Sequence, residues 1–284
     1  MAVRVGVMTF PTAYSMAIGE LAAALEERGF ESLWLTEHSH IPVAHSPWPG
    51  GPKLPASYYD VYDPIVGLAV AAEHTTTLRL GTAVLIMPQR DPIQLAKSLA
   101  TIDVISGGRL EVGIGGGWNL AEMANHGTDP TRRFRRMREG AEAMVAIWTE
   151  ATAEYHGELI DFDPIQAWPK PVQRPHPKIH VGGAAPSALQ RVVRYGDGWI
   201  PMTGRGDGDL IDHVGELRRL AAAAGRDPDA LEVTICGAPQ DRAKLDEYVD
   251  AGVDRVLFVL PSKGRDEILP RLDRLAPVLE QLAA

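Results

Sequence analysis

Two kinds of apolar pattern alternate along the chain. Short apolar runs at residues 3–8, 32–36, 78–86, 109–112, 178–181, 198–201, 231–235 and 255–260 have the length of buried strands. Between them lie longer segments, residues 15–28, 64–75, 92–106, 131–149, 186–195, 209–224, 240–251 and 266–282, that carry the helical repeat. In the first of these Met16, Leu21, Ala24 and Leu25 are the apolar positions, and Gly29 stands just past the end as a C-cap. Asp63-Pro64 and Asp91-Pro92 each set an N-capping carboxylate before a proline at the first helical position.

About eight strand–helix units is the count of an α/β chain closed into a (β/α)8 TIM barrel. Strict alternation requires parallel strands and right-handed crossovers. An open doubly wound sheet is the alternative, and eight units in one chain favour closure. Two stretches interrupt the rhythm. The loop after residue 38 runs to about Asp60 and is rich in proline and glycine, a length that in a compact domain marks a functional or mobile segment. Residues 153–177 hold a hairpin pattern at 155–162 and then Pro169, Pro171, Pro175 and Pro177. Because the alternation resumes at once, we read 153–177 as a proline-rich insertion within a single domain spanning 1–284.

Composition narrows the class. The 284 residues are 45% hydrophobic, enough for one large core, and the net charge of −9 argues against a nucleic-acid or anionic-membrane partner. The one cysteine, Cys236, rules out an internal disulfide and fits a reducing compartment. No apolar run approaches the roughly 20 residues that span a bilayer. The first residues read as a strand and not as a signal peptide, so a cytoplasmic protein is expected.

In a barrel of this kind, chemistry belongs at the C-terminal ends of the strands. Three such ends stand out. The first is Glu37-His38; an imidazole there can exchange a proton near neutral pH, and a structural histidine bonded to a backbone carbonyl is the rival reading. The second is Gly113-Ile114-Gly115-Gly116-Gly117-Trp118-Asn119, where the glycines let backbone approach a flat or phosphorylated group. It lacks the GxGxxG spacing of a dinucleotide fingerprint, and no helix is read directly behind it. The third is Gly182-Gly183-Ala184-Ala185 ahead of Pro186 and Ser187, which offers either an anion site or a plain helix cap. Five arginines, at 132, 133, 135, 136 and 138, form a solvated face at the start of one helix, or supply one that reaches a phosphate. The spacing of His38, His40 and His45 matches no metal-ligand pattern, so no metal is expected.

Several segments then carry a resemblance: Leu33-Trp34-Leu35-Thr36-Glu37-His38, Leu80-Gly81-Thr82-Ala83-Val84-Leu85, Gly107-Gly108-Arg109-Leu110 leading into the glycine stretch, the run Trp168 to Pro177, and Val181-Gly182-Gly183 with Gly196-Asp197-Gly198-Trp199-Ile200-Pro201. The chain resembles the luciferase-like monooxygenase superfamily, in particular its coenzyme F420-dependent oxidoreductases. The resemblance implies a luciferase-like TIM barrel with a flavin or deazaflavin across the strand ends, and a non-prolyl cis bond that falls here at Ala83-Val84. It implies that Glu37, Ala83, Val84, Ile86, Gly116 and Gly117 line the deazaflavin. Gly182, Gly183, Ala185 and Pro186 would hold its phosphate side, and His38 would handle a proton. The activity so implied is hydride transfer between F420 and a small organic substrate. The alternatives are an FMNH2- and O2-dependent monooxygenase that uses FMN with a separate flavin reductase, and a non-catalytic flavin-binding protein. A homodimer is implied, as is a possible partner reductase for the flavin or F420. One departure stands out: Trp118 occupies the place where the sugar-phosphate dehydrogenases of the family carry a glutamate, which argues against that activity.

Overall fold

The computed structural model describes residues 3–205 and 209–283; residues 1, 2, 206–208 and 284 of the expected 1–284 domain lie outside the described residues. In chain order the strands are β1 (Arg4–Thr9), β2 (Ser32–Leu35), β3 (Arg79–Thr82), β4 (Leu85–Ile86), β5 (Leu110–Gly115), β6 (Ala153–His156), β7 (Asp161–Ile165), β8 (Ile179–Gly182), β9 (Gly198–Ile200), β10 (Glu232–Cys236) and β11 (Arg255–Leu260). The helices are α1 (Ile18–Glu27), α2 (Ser57–Asp60), α3 (Pro64–Glu73), α4 (Pro92–Ile105), α5 (Leu120–Asn125), α6 (Arg133–Thr149), α7 (Ser187–Tyr195), α8 (Leu210–Ala223), α9 (Arg242–Asp250) and α10 (Arg265–Ala283).

All strands but β6 and β7 pair in parallel, and the β3–β5 pairing closes the ring. The expected third strand is two pieces, β3 and β4, divided by a cis peptide bond at Ala83-Val84. Counting those pieces as one, the chain is a closed barrel of eight parallel strands with helices outside, the (β/α)8 architecture. The wide burial of β1, β2, β5 and β8 explains why they read as continuous apolar runs, since both faces of a parallel barrel strand are covered.

Local chemistry sets the helix starts. Asp63 accepts from the amides of Ile65 and Val66, and Asp91 from that of Gln94, each ahead of its proline. The first helix begins three residues later than the periodicity suggests, because Thr12 and Ser15 close a turn on each other at 2.8 Å. The expected helix from 131 opens as a tight 3-10 turn (Pro130–Arg132) capped by Asp129, and the α-helix proper starts at Arg133. One expectation fails: a helix does stand behind the glycine stretch, α5, starting at Leu120.

Outside the barrel β6 and β7 form an antiparallel hairpin, held to α6 by the Glu139 carboxylate, which accepts from the amides of Leu159 and Ile160. The proline strap that follows is tied down by buried Asp103, which accepts from the backbone of Val172 and Gln173 and from the Gln173 amide.

The barrel floor, at the N-terminal ends of the strands, is ionic. Arg255 is fully buried; it bridges Glu31 at 2.8 Å and lies 3.4 Å from both Glu111 and Glu232. Its guanidinium stacks over Trp34, which needs Gly81 beside it: a Cβ there would sit 2.2 Å from the indole. The Glu111, His180 and Glu232 ligand atoms come within 4.8 Å of one another, a set that could hold a metal ion. The guanidinium already supplies positive charge to both carboxylates. Burial pushes both carboxyls up, but the His180 hydrogen bond, followed by Arg255 and Arg79, holds Glu111 well below the usual carboxylate range, and Arg255 with Lys178 holds Glu232 down to about 2.

Candidate active site

The opposite end of the barrel is open. A cavity of about 180 Å³ lies across the C-terminal strand ends, floored by Met8, Val84, Ile200, Met202 and Cys236. The chain enters its wall twice through backbone. Gly117 holds φ +70°, and a Cβ there would lie 2.9 Å from Ile86. Gly182 faces Val84, where a Cβ would come within 3.1 Å. Burial pushes the Cys236 thiol up to about 12, so it is an apolar part of the floor and not a nucleophile.

His38 is 8% exposed and lines this cavity. Its Nδ1 lies 2.7 Å from Oε2 of Glu122, a carboxylate on α5 with no exposed surface. Its Nε2 lies 3.2 Å from Nε1 of Trp118. An indole N–H only donates, so Nε2 accepts, and the ring proton sits on Nδ1 and is donated to Glu122. The bonding therefore selects the neutral Nδ1–H form, with the Nε2 lone pair on the Trp118 side. Burial alone would push the Glu122 carboxyl up; the hydrogen bond from His38 and the Ser39 amide at 3.0 Å outweigh it and hold it below its ordinary value.

The loop after His38 builds the aromatic side of the cavity. Tyr58 of α2 packs against His38, Trp48 and Phe10, with ring centroids 5.2, 5.6 and 4.5 Å apart. Ser46 of the same loop accepts from the amide of Leu120 through its hydroxyl, and donates its own amide to Asn119. The loop thus caps α5 and fixes the helix that carries Glu122.

Of the residues named from sequence, Glu37, His38, Ala83, Val84, Ile86, Gly117 and Gly182 line the cavity together. Glu37 is spent on the wall itself: Oε2 accepts from the Ile86 amide at 2.5 Å and Oε1 from Arg90 at 2.7 Å, which fastens the bulge after the cis bond. Gly116, Gly183, Ala185 and Pro186 are not in the lining. Gly116 abuts the Phe134 ring, Gly183 (φ +127°) sits by the Arg191 guanidinium, and Ala185-Pro186, itself cis, leads into α7. Arg133 and Arg191 both stack on Phe134, 4.4 and 4.2 Å from its centroid. Among the described residues neither has a carboxylate within salt-bridge distance, and the Nε of each is buried without a partner. Burial, and then the like charge of Arg133, draw Arg191 below its ordinary value.

Glu122, Arg191 and Phe134 were not anticipated. Asn119-Leu120-Ala121-Glu122 has the spacing of a capping box, which would have flagged α5. Arg133 is marked in sequence only as one of five arginines that could reach a phosphate, and nothing there marks Arg191 as its partner.

A profile of the luciferase-like monooxygenase family matches residues 4–255. The chain belongs to that family. It is similar to uncharacterized protein Rv0953c of Mycobacterium tuberculosis H37Rv, 40% identical over 281 residues that cover 96% of this chain and 98% of that protein. It is also similar to an F420-dependent glucose-6-phosphate dehydrogenase of Kineococcus radiotolerans, 31% identical over 77% of this chain and 62% of the relative. An FMNH2-dependent dimethylsulfone monooxygenase of Pseudomonas putida is 35% identical over 53% of this chain and 42% of its own length. The crystal structure of the monooxygenase RslO1 from Streptomyces bottropensis shares the fold, with a TM-score of 0.79 at 23% identity, over 99% of this chain and all of that one. Family members are F420- or flavin-dependent oxidoreductases and monooxygenases, and relatives of both kinds act on small molecules. Among the described residues no helix is long and apolar enough to cross a membrane.

Proposed function

We propose that this chain is an oxidoreductase that transfers a hydride between coenzyme F420 and a small alcohol or carbonyl substrate. The observation that carries the reading is the buried Glu122–His38–Trp118 chain on the cavity wall. Turning an alcohol into a carbonyl releases one hydride and one proton. His38 is built to take the proton: it is neutral, its ring is held by a carboxylate, and its Nε2 lone pair faces the Trp118 N–H, a donor whose place a substrate hydroxyl can take.

The residues present fit such a cofactor. A cavity of about 180 Å³ lies below the roughly 300–1,000 Å³ typical of whole-ligand sites, so the ring enters and the tail lies outside. Ala83, Val84, Ile86, Gly117 and Gly182 would hold the ring. Gly183, the start of α7 and the two unneutralised guanidiniums at 133 and 191 would hold the phosphate, which gives their orphaned Nε groups a partner. Bound F420 supplies a two-electron hydride acceptor or donor. Glu122 orients the imidazole and stabilises the imidazolium, while Trp118, Tyr58 and Phe10 exclude water from the reacting face.

The second reading is an FMN enzyme that uses oxygen, favoured by the same arginine pair, since two cations suit a phosphate monoester. Fluorescence titrations with F420 and FMN, followed by F420 consumption against a panel of small alcohols and ketones, test the first reading. Oxygen uptake with reduced FMN and no F420 turnover would replace it with the second.

A further inference from the structure

A second cleft of about 320 Å³ opens behind the wall that carries His38. Polar and charged residues, Ser39, Gln89, Arg90, Asp91, Gln94 and His126 among them, line much of it, and the only residue it shares with the cofactor cavity is Glu37. His38 faces one space and Ser39, the next residue, faces the other. Between them stands Glu122. Its Oε2 meets His38 at 2.7 Å, and its Oε1 meets the Ser39 hydroxyl at 3.3 Å. The Ser39 Oγ in turn lies 2.7 Å from Nε2 of exposed His126 and 2.9 Å from Nδ1 of His40.

We infer that Glu122, Ser39 and His126 form a proton path from His38 through the barrel wall into this second cleft, separate from the mouth through which cofactor and substrate enter. The path rests on the reading of His38 as the proton acceptor. It solves a problem that reading creates. Cofactor and substrate together fill the mouth, so an imidazolium formed there has no water to relax into. The Nδ1 proton, by contrast, already points away from the mouth.

The transfer balances without any change in electron count. A substrate O–H bond breaks and an Nε2–H bond forms on His38. The Nδ1–H bond then breaks as Glu122 is protonated on Oε2. Rotation of the carboxyl brings that hydrogen to the Ser39 Oγ, whose own hydrogen passes to Nε2 of His126. From His126 a proton leaves to cleft water, and His38 is left as its other neutral tautomer, with hydrogen on Nε2. In the second half of the cycle, once product has left and water has re-entered the mouth, that water takes the Nε2 hydrogen while cleft water reprotonates Nδ1 by the same route in reverse, which restores the starting state.

The titratable and charged groups around the path are few. Tyr58 and Glu37 flank His38, His40 sits 5.4 Å ring to ring from His126, and Asp63, Arg90 and Asp91 line the outer cleft. Asp63 and Glu37 are paired with Arg90 and Asp91 caps α4 through the Gln94 amide, which leaves the two histidines as the relay's partners at the rim.

The test needs no substrate. In 15N-histidine protein the His38 Nδ1–H resonance exchanges with water at a rate measured by magnetisation transfer. The Ser39→Ala variant should slow this exchange at least tenfold, and His126→Gln, a surface change, should slow it by a smaller factor. Saturation with FMN as a probe that fills the mouth should leave the wild-type rate unchanged. An unchanged rate in Ser39→Ala overturns the path, as does strong protection by FMN, which would place the exit at the mouth. Failure of FMN and F420 to bind would count against the cofactor reading instead, and the variant comparison on the ligand-free protein would still decide the path.

Discussion

Replacing Glu122 by glutamine, Glu122→Gln, separates a working dyad from a packing contact. The carboxylate accepts from three donors: His38 Nδ1–H at 2.7 Å, the Ser39 amide at 3.0 Å and the Ser39 hydroxyl at 3.3 Å. Glutamine offers one acceptor and one donor group in the same shape. If its oxygen keeps the Ser39 amide, its NH2 faces His38 Nδ1, and the ring must move its proton to Nε2. That new N–H then confronts the Trp118 N–H, now 3.2 Å away as a second donor. The change loses one charge-assisted bond and leaves one buried donor without a partner, for a total of about 2–4 kcal/mol. In a chain of this size that is a fall in Tm of roughly 3–7 °C. The cost also depends on pH. Because the Glu122 carboxyl is held below its ordinary value, its ionisation stabilises the fold above the unfolded value near ~4.3 and ceases to do so as pH falls through the folded one. The gap between wild type and variant should therefore close in acid. The 15N spectrum should show His38 switching from Nδ1–H to Nε2–H, and turnover should drop by about 10²–10⁴. If the variant keeps the Nδ1–H form and melts within about one degree of wild type, the tautomer argument is wrong.

Four further outcomes follow from other parts of the fold. Arg255→Met leaves Glu111 and Glu232 buried without their shared cation and should cost about 3–5 kcal/mol in urea unfolding; a loss under about 1 kcal/mol would mean the floor is already balanced by Arg4, Arg79 and Lys178. Since Glu232 is held down to about 2, the wild type should lose stability as pH falls from about 4.5 toward that value, and Arg255→Met should show a flatter acid limb between them. Arg191→Met should weaken binding of a phosphate-bearing cofactor about tenfold or more and leave riboflavin, which lacks the phosphate, unchanged; equal losses for both would place the arginine outside the phosphate site. Gly117→Ala puts a side chain at φ +70° and 2.9 Å from Ile86, so it should cost about 1–2 kcal/mol in stability and weaken ring binding; normal binding by a fully folded variant would move the ring elsewhere.

The alternation of buried runs and amphipathic segments was enough to reach a closed eight-stranded barrel, because parallel strands covered on both faces leave a barrel or an open doubly wound sheet, and eight units in one chain favour closure. Asp63-Pro64 and Asp91-Pro92 marked their helices because carboxylate caps and N1 prolines act locally. What escaped depends on contacts far apart in sequence. Helix α5 has a capping-box spacing, yet Glu122 does not fold back to its own N-cap; it turns to His38, and Ser46 from a distant loop does the capping. Arg133 could not be singled out among five arginines, and Arg191 lies in another helix; only the packing of α6 against α7 brings the two to one ring. The ionic floor was hidden for a related reason. Each of Arg79, Glu111, His180, Glu232 and Arg255 is one polar residue at or near the start of an apolar run, and the runs converge only when the barrel closes.

The cofactor decides the account most directly. Purified protein titrated with F420 and with FMN, each followed by its own fluorescence, should bind F420 at micromolar concentrations and more tightly than FMN. The Arg191→Met variant should lose part of that affinity. Tighter binding of FMN would make this an oxygen-using flavin enzyme, and binding of neither would take the redox ring out of the barrel mouth altogether.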